Sequence, residues 1–232
     1  MVRGAQRYSD VVISSVAHVD APHVVTSAWI EGQLAEAHGQ LGMFPGMIEA
    51  LAGVRERRLW DEGVQPSEVA ARAGELALQR SGVPRDHVGI VVNTSVCRDY
   101  IEPSVASFVH HALGLSPTAL NFDLGNACLG FVNGMALVAS MIERGEIDHG
   151  VVVDGESSRL PLEATLNRLL QPNSTAQDLR EQFATLTLGS GAAAAVLSRA
   201  SLSRSEHRFL GGIGRASTEH SRLCLGQRDE MR

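Results

Sequence analysis

Apolar residues along this chain come in two rhythms: short, mostly apolar runs, and longer stretches in which they return every three or four positions. The runs at 11–16, 88–93, 119–124, 151–153 and 192–198 have strand length, and those at 88–93 and 119–124 are continuous enough to be buried. The helical rhythm is clearest over 66–81, closed by Gly82 and Pro84. It returns over 129–144, where Phe131, Val132, Met135, Val138, Ala139 and Ile142 recur at helical spacing before Gly145. After a turn region around Asp20 and Pro22, Thr26 or Ser27 can cap a helix reaching about residue 38. A short helix fits 41–51 despite Pro45 and Gly46, and Pro103 takes the favoured first position of another. Residues 159–182 read as an insertion, with one helix opened by Pro161, a break at 171–173 and a polar second helix; such a segment forms a lid or a dimer contact. From Phe209 a fresh segment begins, with no further strand expected. Strands alternating with helices predict an α/β layered fold with a mainly parallel sheet.

The stretch 121–156 is a strand, helix, strand unit with the helix as crossover. Cys128 falls where the first strand gives way to the helix, the position of a nucleophile elbow. Unpaired N–H groups and the helix dipole favour negative charge there, so the thiolate is expected to be stabilised. Gly130 and Gly134, one turn apart, clear a flank of the helix for another backbone or a long substrate. The competing reading of Cys128 is a small buried hydrophobe.

Composition narrows the chemistry. At 232 residues and 44% hydrophobic content the chain can bury a real core. A net charge of -6 with no basic block gives nucleic-acid binding no electrostatic support. The N-terminus is polar and no apolar run approaches the ~18 residues of a membrane span, so a soluble, cytoplasmic protein is expected. Cys97, Cys128 and Cys224 lie far apart without C-x-x-C spacing, which fits neither a disulfide framework nor a zinc site. All twenty basic residues are arginine, which removes Schiff-base lysine chemistry, pyridoxal-phosphate attachment and the Walker phosphate loop. No G-x-S-x-G occurs either, so nucleophilic catalysis is left chiefly to cysteine.

Other candidates carry two readings each. Arg55, Arg57, Arg58 and Trp60 make a basic and aromatic cluster, either a solvated arginine face or a place for a phosphorylated carrier such as coenzyme A. Glu102 is either a carboxylate near a positive helix end or a catalytic base. His18 and His23 flank Asp20 in what reads as turn chemistry, and the adjacent His110 and His111 point about 100° apart on a helix and cannot chelate one metal; no metal site is expected. Gly189, Gly191 and Ala194 match a G-x-G-x-x-A dinucleotide spacing. The strand before it would be only 186–188 and the run after it suits a strand, so the glycines are read as allowing close backbone approach to an active-site loop.

Seven segments together resemble the thiolase-like condensing enzymes: HVDAPH, GVRERRLWDEG, NTSVCRDYIEPSVAS, NACLGFVNGM, IERGEIDHGVVVDGE, LTLGSGAAAAVL and GRASTEH. The likeness is closest to OleA-type acyl-CoA condensing enzymes of bacterial long-chain olefin biosynthesis, and next to β-ketoacyl-ACP synthase III. It implies a thiolase-like α-β-α fold with a mostly parallel mixed sheet. It implies that Cys128, in NACLGF, takes an acyl group from a coenzyme A thioester. Glu102, in RDYIEPS, matches the glutamate that crosses the dimer interface in OleA-type enzymes and acts as base toward the α-carbon of the second acyl chain. A malonyl-dependent synthase III uses no such carboxylate. Arg55 resembles a coenzyme A phosphate contact, with Arg58 beside it. The expected partners are a fatty acyl-CoA (or acyl-ACP) as substrate, with no permanently bound cofactor, and a second thiolase-like chain in a homodimer or heterodimer. Members of the family are longer, and their second half supplies a histidine, an asparagine and a glycine N–H around the thioester oxygens. The resemblance therefore implies an N-terminal domain over 1–203, with a lid or dimer insertion at about 159–183, and the start of a truncated C-terminal domain over 204–232. A C-terminal complement is expected for activity and for stable folding, and a non-catalytic thiolase-like subunit is the alternative.

Overall fold

The computed structural model describes residues 5–223 and residue 225. Five strands form the central sheet: β2 (Val11–Asp20), β5 (Val88–Asn93), β6 (Leu120–Asp123), β7 (His149–Glu156) and β8 (Gly191–Arg199), in the order β2-β8-β7-β5-β6. The β7/β5 and β5/β6 pairs are parallel and β8 runs antiparallel to both its neighbours, so four of the five strands point the same way. This is the mostly parallel mixed sheet the sequence implies. β1 (Ala5–Arg7) pairs antiparallel with β9 (Gly211–Ile213), a strand not expected after Phe209. β3 (His23–Thr26) and β4 (Glu56–Leu59) form a second small antiparallel pair where a turn and an arginine cluster were read.

Helices cover both faces. α4 (Pro66–Ser81) and α5 (Val105–Ala112) lie on one side, where Val69, Ala70, Ala73 and Ala77 pack with Val91, Val151, Val153, Ala194 and Val196. α6 (Gly130–Glu143) lies on the other, where Met135, Val138, Ala139 and Ile142 pack with Ile90, Val92, Val152, Ala195 and Leu197. Successive strand residues alternate between the two cores, which is why the central runs are apolar without interruption. α4 begins with Pro66 in its first turn and ends on Gly82 at φ 69°, the left-handed stop read from the sequence. A third core holds α1 (Ser27–Gln33), α2 (His38–Leu41) and α3 (Met47–Ala52) against α7 (Arg159–Leu169) and α8 (Ala176–Gln182), with Ile30, Leu34, Ile48, Leu162, Leu169 and Leu179 at its centre. Thr26 caps α1, its Oγ1 accepting from the Trp29 N–H at 3.1 Å. The helix ends at Gln33 rather than near residue 38, and a 3-10 turn and α2 follow it.

Several expectations are corrected. β6 is an edge strand, not a buried one: Leu120 is 52% and Phe122 37% exposed. Pro103 precedes α5, whose N-cap is Ser104. Pro161 stands third in α7 and not at its opening. Residues 186–187 belong to a 3-10 turn, and 191–199 form a strand, so the G-x-G-x-x-A spacing opens no helix. A Cβ on Gly189 would lie 3.1 Å from the Arg57 Cβ, so the close approach there is to β4. Cys224 lies outside the described residues. Among the described residues no helix is long and apolar enough to cross a membrane.

Candidate active site

The chain leaves β6 at Asp123, passes through 124–126 and makes a 3-10 turn, Ala127–Leu129, that runs directly into α6. Ala127 has φ 43°, the left-handed region that costs a residue with a Cβ about 1 kcal/mol or more. The turn is held from below: the Leu129 N–H donates to the Asn126 carbonyl at 3.0 Å and the Leu124 N–H to the Asn93 carbonyl at 2.8 Å. Gly130 sits where a Cβ would be 2.9 Å from the Thr94 carbonyl oxygen, and Gly134 where one would be 2.9 Å from the Thr94 Cγ2 and 3.0 Å from the Val152 Cγ1. The glycine pair thus lets α6 close on the ends of β5 and β7. This places Cys128 on top of a strained turn, two residues before α6, with its side chain exposed. It is not the buried hydrophobe of the competing reading. Cys97 is the contrasting thiol: burial, aided by the Glu156 carboxylate, pushes it up to about 12, and its S–H donates to the Ser157 carbonyl. A thiol in that state is a poor nucleophile.

Glu102 lies on the loop from β5 to α5. It is exposed, and among the described residues no hydrogen bond or ion pair engages it. The ordinary role considered for it, serving the positive end of a helix, belongs to Asp123: the Val105 and Ala106 N–H groups donate to the two Asp123 oxygens at 3.0 and 2.8 Å. The loop itself is tied down on both sides of its start. The Val96 and Cys97 N–H groups donate to the Glu156 carboxylate at 2.6 and 3.2 Å, and Asp99 accepts from the Ser67 N–H at 3.0 Å. Because β5, β6 and β7 are parallel neighbours, the segments that leave them carry Glu102, Cys128 and Glu156 from the same end of the sheet, where α/β sheets place their ligands.

The arginines divide. Arg57 faces inward, 5% exposed, donating to the Val25 carbonyl and the Ser27 hydroxyl, and burial lowers its pKa. Neither the solvated face nor the carrier contact describes it. Arg55 and Arg58 are exposed, as either reading requires, and Arg58 donates to the Ala21 carbonyl at 3.1 Å. β4 and the residue after it are docked on this end of the sheet, with the Ser190 N–H donating to the Arg58 carbonyl and the Trp60 indole N–H to the Glu156 carbonyl. Among the described residues no hydrogen bond or ion pair joins Arg55 or Arg58 to Cys128 or Glu102. His23 is paired with Asp61 at 2.6 Å and not with Asp20.

Sequence reasoning missed Thr94, Asp99, Asp123, Asp154 and Glu156. Burial pushes the Asp154 carboxyl up to about 6, against the lowering pull of the Thr94 hydroxyl. The available signal was positional: each apolar run at this end of the sheet stops on polar residues, Asn93-Thr94-Ser95, Asp123 and Asp154-Gly155-Glu156.

Comparison with known proteins is specific. Residues 122–211 match the family described as 3-oxoacyl-[acyl-carrier-protein (ACP)] synthase III. The chain is 44% identical over 224 residues to the acyl-CoA:acyl-CoA alkyltransferase of Xanthomonas campestris pv. campestris, covering 97% of this chain and 66% of that one. It is 38% identical over 221 residues to the acyl-CoA:acyl-CoA alkyltransferase of Shewanella oneidensis, covering 94% and 63%. Similarity to the β-ketoacyl-[acyl-carrier-protein] synthase III of Aliarcobacter butzleri is 34% over 119 residues, 51% of this chain and 35% of that one. Among solved structures, a histidine-to-alanine variant of X. campestris OleA superimposes with TM-score 0.92 at 44% identity, over 96% of this chain and 66% of that one. Cerulenin-bound OleA from the same organism gives 0.89 at 44%, over 92% and 66%. The chain spans about two thirds of the length of the curated relatives it matches.

Proposed function

This chain belongs to the OleA-type branch of the thiolase-like condensing enzymes, and from that premise we propose that it takes part in Claisen condensation of two fatty acyl-CoAs through an acyl group carried on Cys128. In the first step the Cys128 sulfur forms a thioester with the acyl carbon, the bond from that carbon to the coenzyme A sulfur breaks, and coenzyme A leaves as the thiol after taking the proton. In the second, a carboxylate removes the acidic α-proton of another acyl-CoA, the α-carbon attacks the Cys128 thioester, and the sulfur is released as a β-ketoacyl-CoA forms. Glu102 is the proposed base. Arg55 and Arg58 are the proposed contacts for the coenzyme A phosphates.

The observation that carries this reading is the pairing of an exposed thiol on a strained turn before α6 with an exposed carboxylate that no structural bond engages, on loops from adjacent parallel strands. Exposed apolar groups around them support two further parts of the proposal. Leu129 and Val132, 60% and 55% exposed beside Cys128, suit cover by a C-terminal thiolase-like half, whether in this polypeptide or in a complement. The open edge of β6, with Leu120 exposed and Ile101 82% exposed near Glu102, suits a homodimer or heterodimer in which Glu102 serves the partner's site. Whether the product feeds olefin or β-lactone formation is a matter for the enzymes that consume it.

Incubation with a long-chain acyl-CoA, with and without a C-terminal complement, followed by intact mass measurement tests the first step. A mass gain equal to the acyl group, absent in Cys128→Ala, is expected. Glu102→Gln should keep the acyl adduct and lose the β-keto product. Acylation that survives Cys128→Ala refutes the role of the thiol. The match to synthase III over 122–211 favours a second reading, condensation with a malonyl donor. Product formation that requires malonyl-ACP and is untouched by Glu102→Gln would establish that one instead. No acylation even with the complement would point to a non-catalytic subunit.

A further inference from the structure

Thr94 stands directly behind the turn that carries Cys128. A Cβ on Gly130 would lie 2.9 Å from its carbonyl oxygen and 3.3 Å from its Cβ, and one on Gly134 2.9 Å from its Cγ2. The start of α6 therefore rests on the main chain and methyl group of Thr94. Its hydroxyl end is turned toward β7, with Oγ1 3.0 Å from the Val153 carbonyl oxygen and 2.8 Å from Asp154 Oδ2. A threonine hydroxyl has one proton to give. Here it has two acceptors within reach. Both contacts are hydrogen bonds at once only when Asp154 is itself protonated: the Asp154 O–H donates to Thr94 Oγ1, and the Thr94 O–H donates to the Val153 oxygen. With an ionised carboxylate, Thr94 can serve one of the two, and the other contact sets two oxygens against each other.

We propose that Asp154 is a positioning residue for Cys128, holding the elbow in register through Thr94 while it is protonated and loosening it on ionisation. Four titratable groups are placed near it by the chain and the sheet, while Glu68 and Arg72 of α4, which packs on β7, are exposed. Glu156 lies two positions along β7 and carries a like charge. Cys97, on the loop after β5, is raised in its turn by Asp154. His18 shares the same sheet face, since both it and Asp154 pair with Ala193 of β8. Cys128 stands on the turn before α6. Burial, with a smaller push from Glu156, outweighs the lowering pull of the Thr94 hydroxyl and raises its titration to about 6. The inference concerns how the thiol is seated and involves no acyl substrate, so it stands or falls separately from the condensation proposed above.

The test is the rate at which iodoacetamide alkylates Cys128, read from the mass of the Cys128 peptide between pH 5 and 8. The proteins compared are the wild type, Asp154→Asn, Thr94→Val and the double variant. Asparagine offers Thr94 an N–H at every pH and so stands in for the protonated acid, while valine keeps the bulk on which the glycines rest. Taking wild type over Asp154→Asn cancels the ionisation of the thiol itself. That ratio is expected near one at pH 5 and to fall with a midpoint of about 6. The fall should reach about fivefold by pH 8, the worth of one ordinary hydrogen bond. In the Thr94→Val background the same ratio should be flat. A ratio independent of pH in the wild-type background overturns the proposal. A pH-dependent ratio that survives Thr94→Val overturns it too, because Asp154 would then act on the thiol by its field and not through Thr94. If Asp154→Asn does not fold, wild type over Thr94→Val must show the same step, and parallel profiles refute the relay.

Discussion

Alanine introduced at Gly134 and at Gly32 makes the same chemical change in the same kind of backbone, and the surroundings give the two changes opposite signs. Each gains the helix propensity of alanine over glycine, about 1 kcal/mol in a helix interior. At Gly32, the next-to-last residue of α1, nothing lies within 4 Å of the new methyl, so the gain there is unopposed, though smaller than in a helix interior. At Gly134, in α6, the methyl would meet Thr94 Cγ2 at 2.9 Å, Val152 Cγ1 at 3.0 Å and Val92 Cγ1 at 3.6 Å. These side chains are at most 1% exposed, so they have no free volume to retreat into and α6 must lift. Overpacking of this kind costs about 1–3 kcal/mol, which outweighs the propensity gain and leaves a net loss of about 1 kcal/mol. For a chain of this size about 1 kcal/mol moves the melting temperature by about 2–4 °C, so the two variants should separate by about 5 °C, Gly32→Ala above the wild type and Gly134→Ala below it. Thermal unfolding followed by circular dichroism reads this directly. A Gly134→Ala protein that melts with or above Gly32→Ala would show that close approach to β5 and β7 is not what the glycine serves.

Three other outcomes follow from buried or partly buried polar groups. Burial lowers the pKa of His149, whose Nδ1 lies 2.8 Å from the Ser198 hydroxyl, so the folded state prefers the neutral ring. Its contribution to stability is whole above the unfolded value of about 6.5 and is lost as pH falls through the lowered folded value, so the melting temperature should drop less between pH 7.5 and 5 in His149→Gln than in the wild type. Equal drops would remove His149 from the acid sensitivity. Asp123→Ala uncaps α5 and should cost about 1–2 kcal/mol in urea unfolding, whereas a change below about 0.5 kcal/mol would mean that water replaces the cap without loss. Arg57 is buried, has no carboxylate partner and leaves its Nε without an acceptor. Arg57→Met, which keeps the length and discards the charge, should shift urea stability by no more than about 1 kcal/mol, while Arg57→Ala should lose about 2 kcal/mol or more to the cavity.

The parts of the fold that were legible are those where a local rule and the tertiary environment agree. α4 and β5 end where proline, glycine and the apolar run say they should, and α6 with its glycine pair was readable because the helix period survives in a segment packed on one side. β6 looked buried because Leu120 and Phe122 sit in a mostly apolar stretch, although Asn121 and Asp123 alternate with them. Apolarity alone cannot distinguish a central strand from an edge strand. Arg57 was misread because the cluster was taken as a unit, whereas strand alternation sends Arg57 and Leu59 inward and Glu56 and Arg58 outward. The start of α5 was misplaced because its cap comes from Asp123, eighteen positions downstream of Val105, beyond any local pattern. The turn that carries Cys128 was legible because a position between strand and helix is itself a local signal. Thr94 and Asp154 were not, since the bond between them spans sixty positions.

That same accounting bears on which acid can serve the chemistry. Five carboxylates gather where β5, β6 and β7 end, and four of them are committed. Asp123 takes the N–H groups of α5, Asp99 takes Ser67 at the start of α4, Glu156 takes the Val96 and Cys97 N–H groups, and Asp154 faces the Thr94 hydroxyl. A base that must exchange protons with a substrate cannot also hold a helix end or a loop, because each change of its charge would disturb that anchor by about the 1.5–3 kcal/mol of a charge-assisted bond. Glu102 is the carboxylate of this group without such a duty. The loop that carries it is pinned at Val96, Cys97 and Asp99, so the side chain is held out from a fixed base while remaining free to change its charge. Freezing the loop with its neighbours' carboxylates leaves the fifth available for a proton that comes from outside the chain.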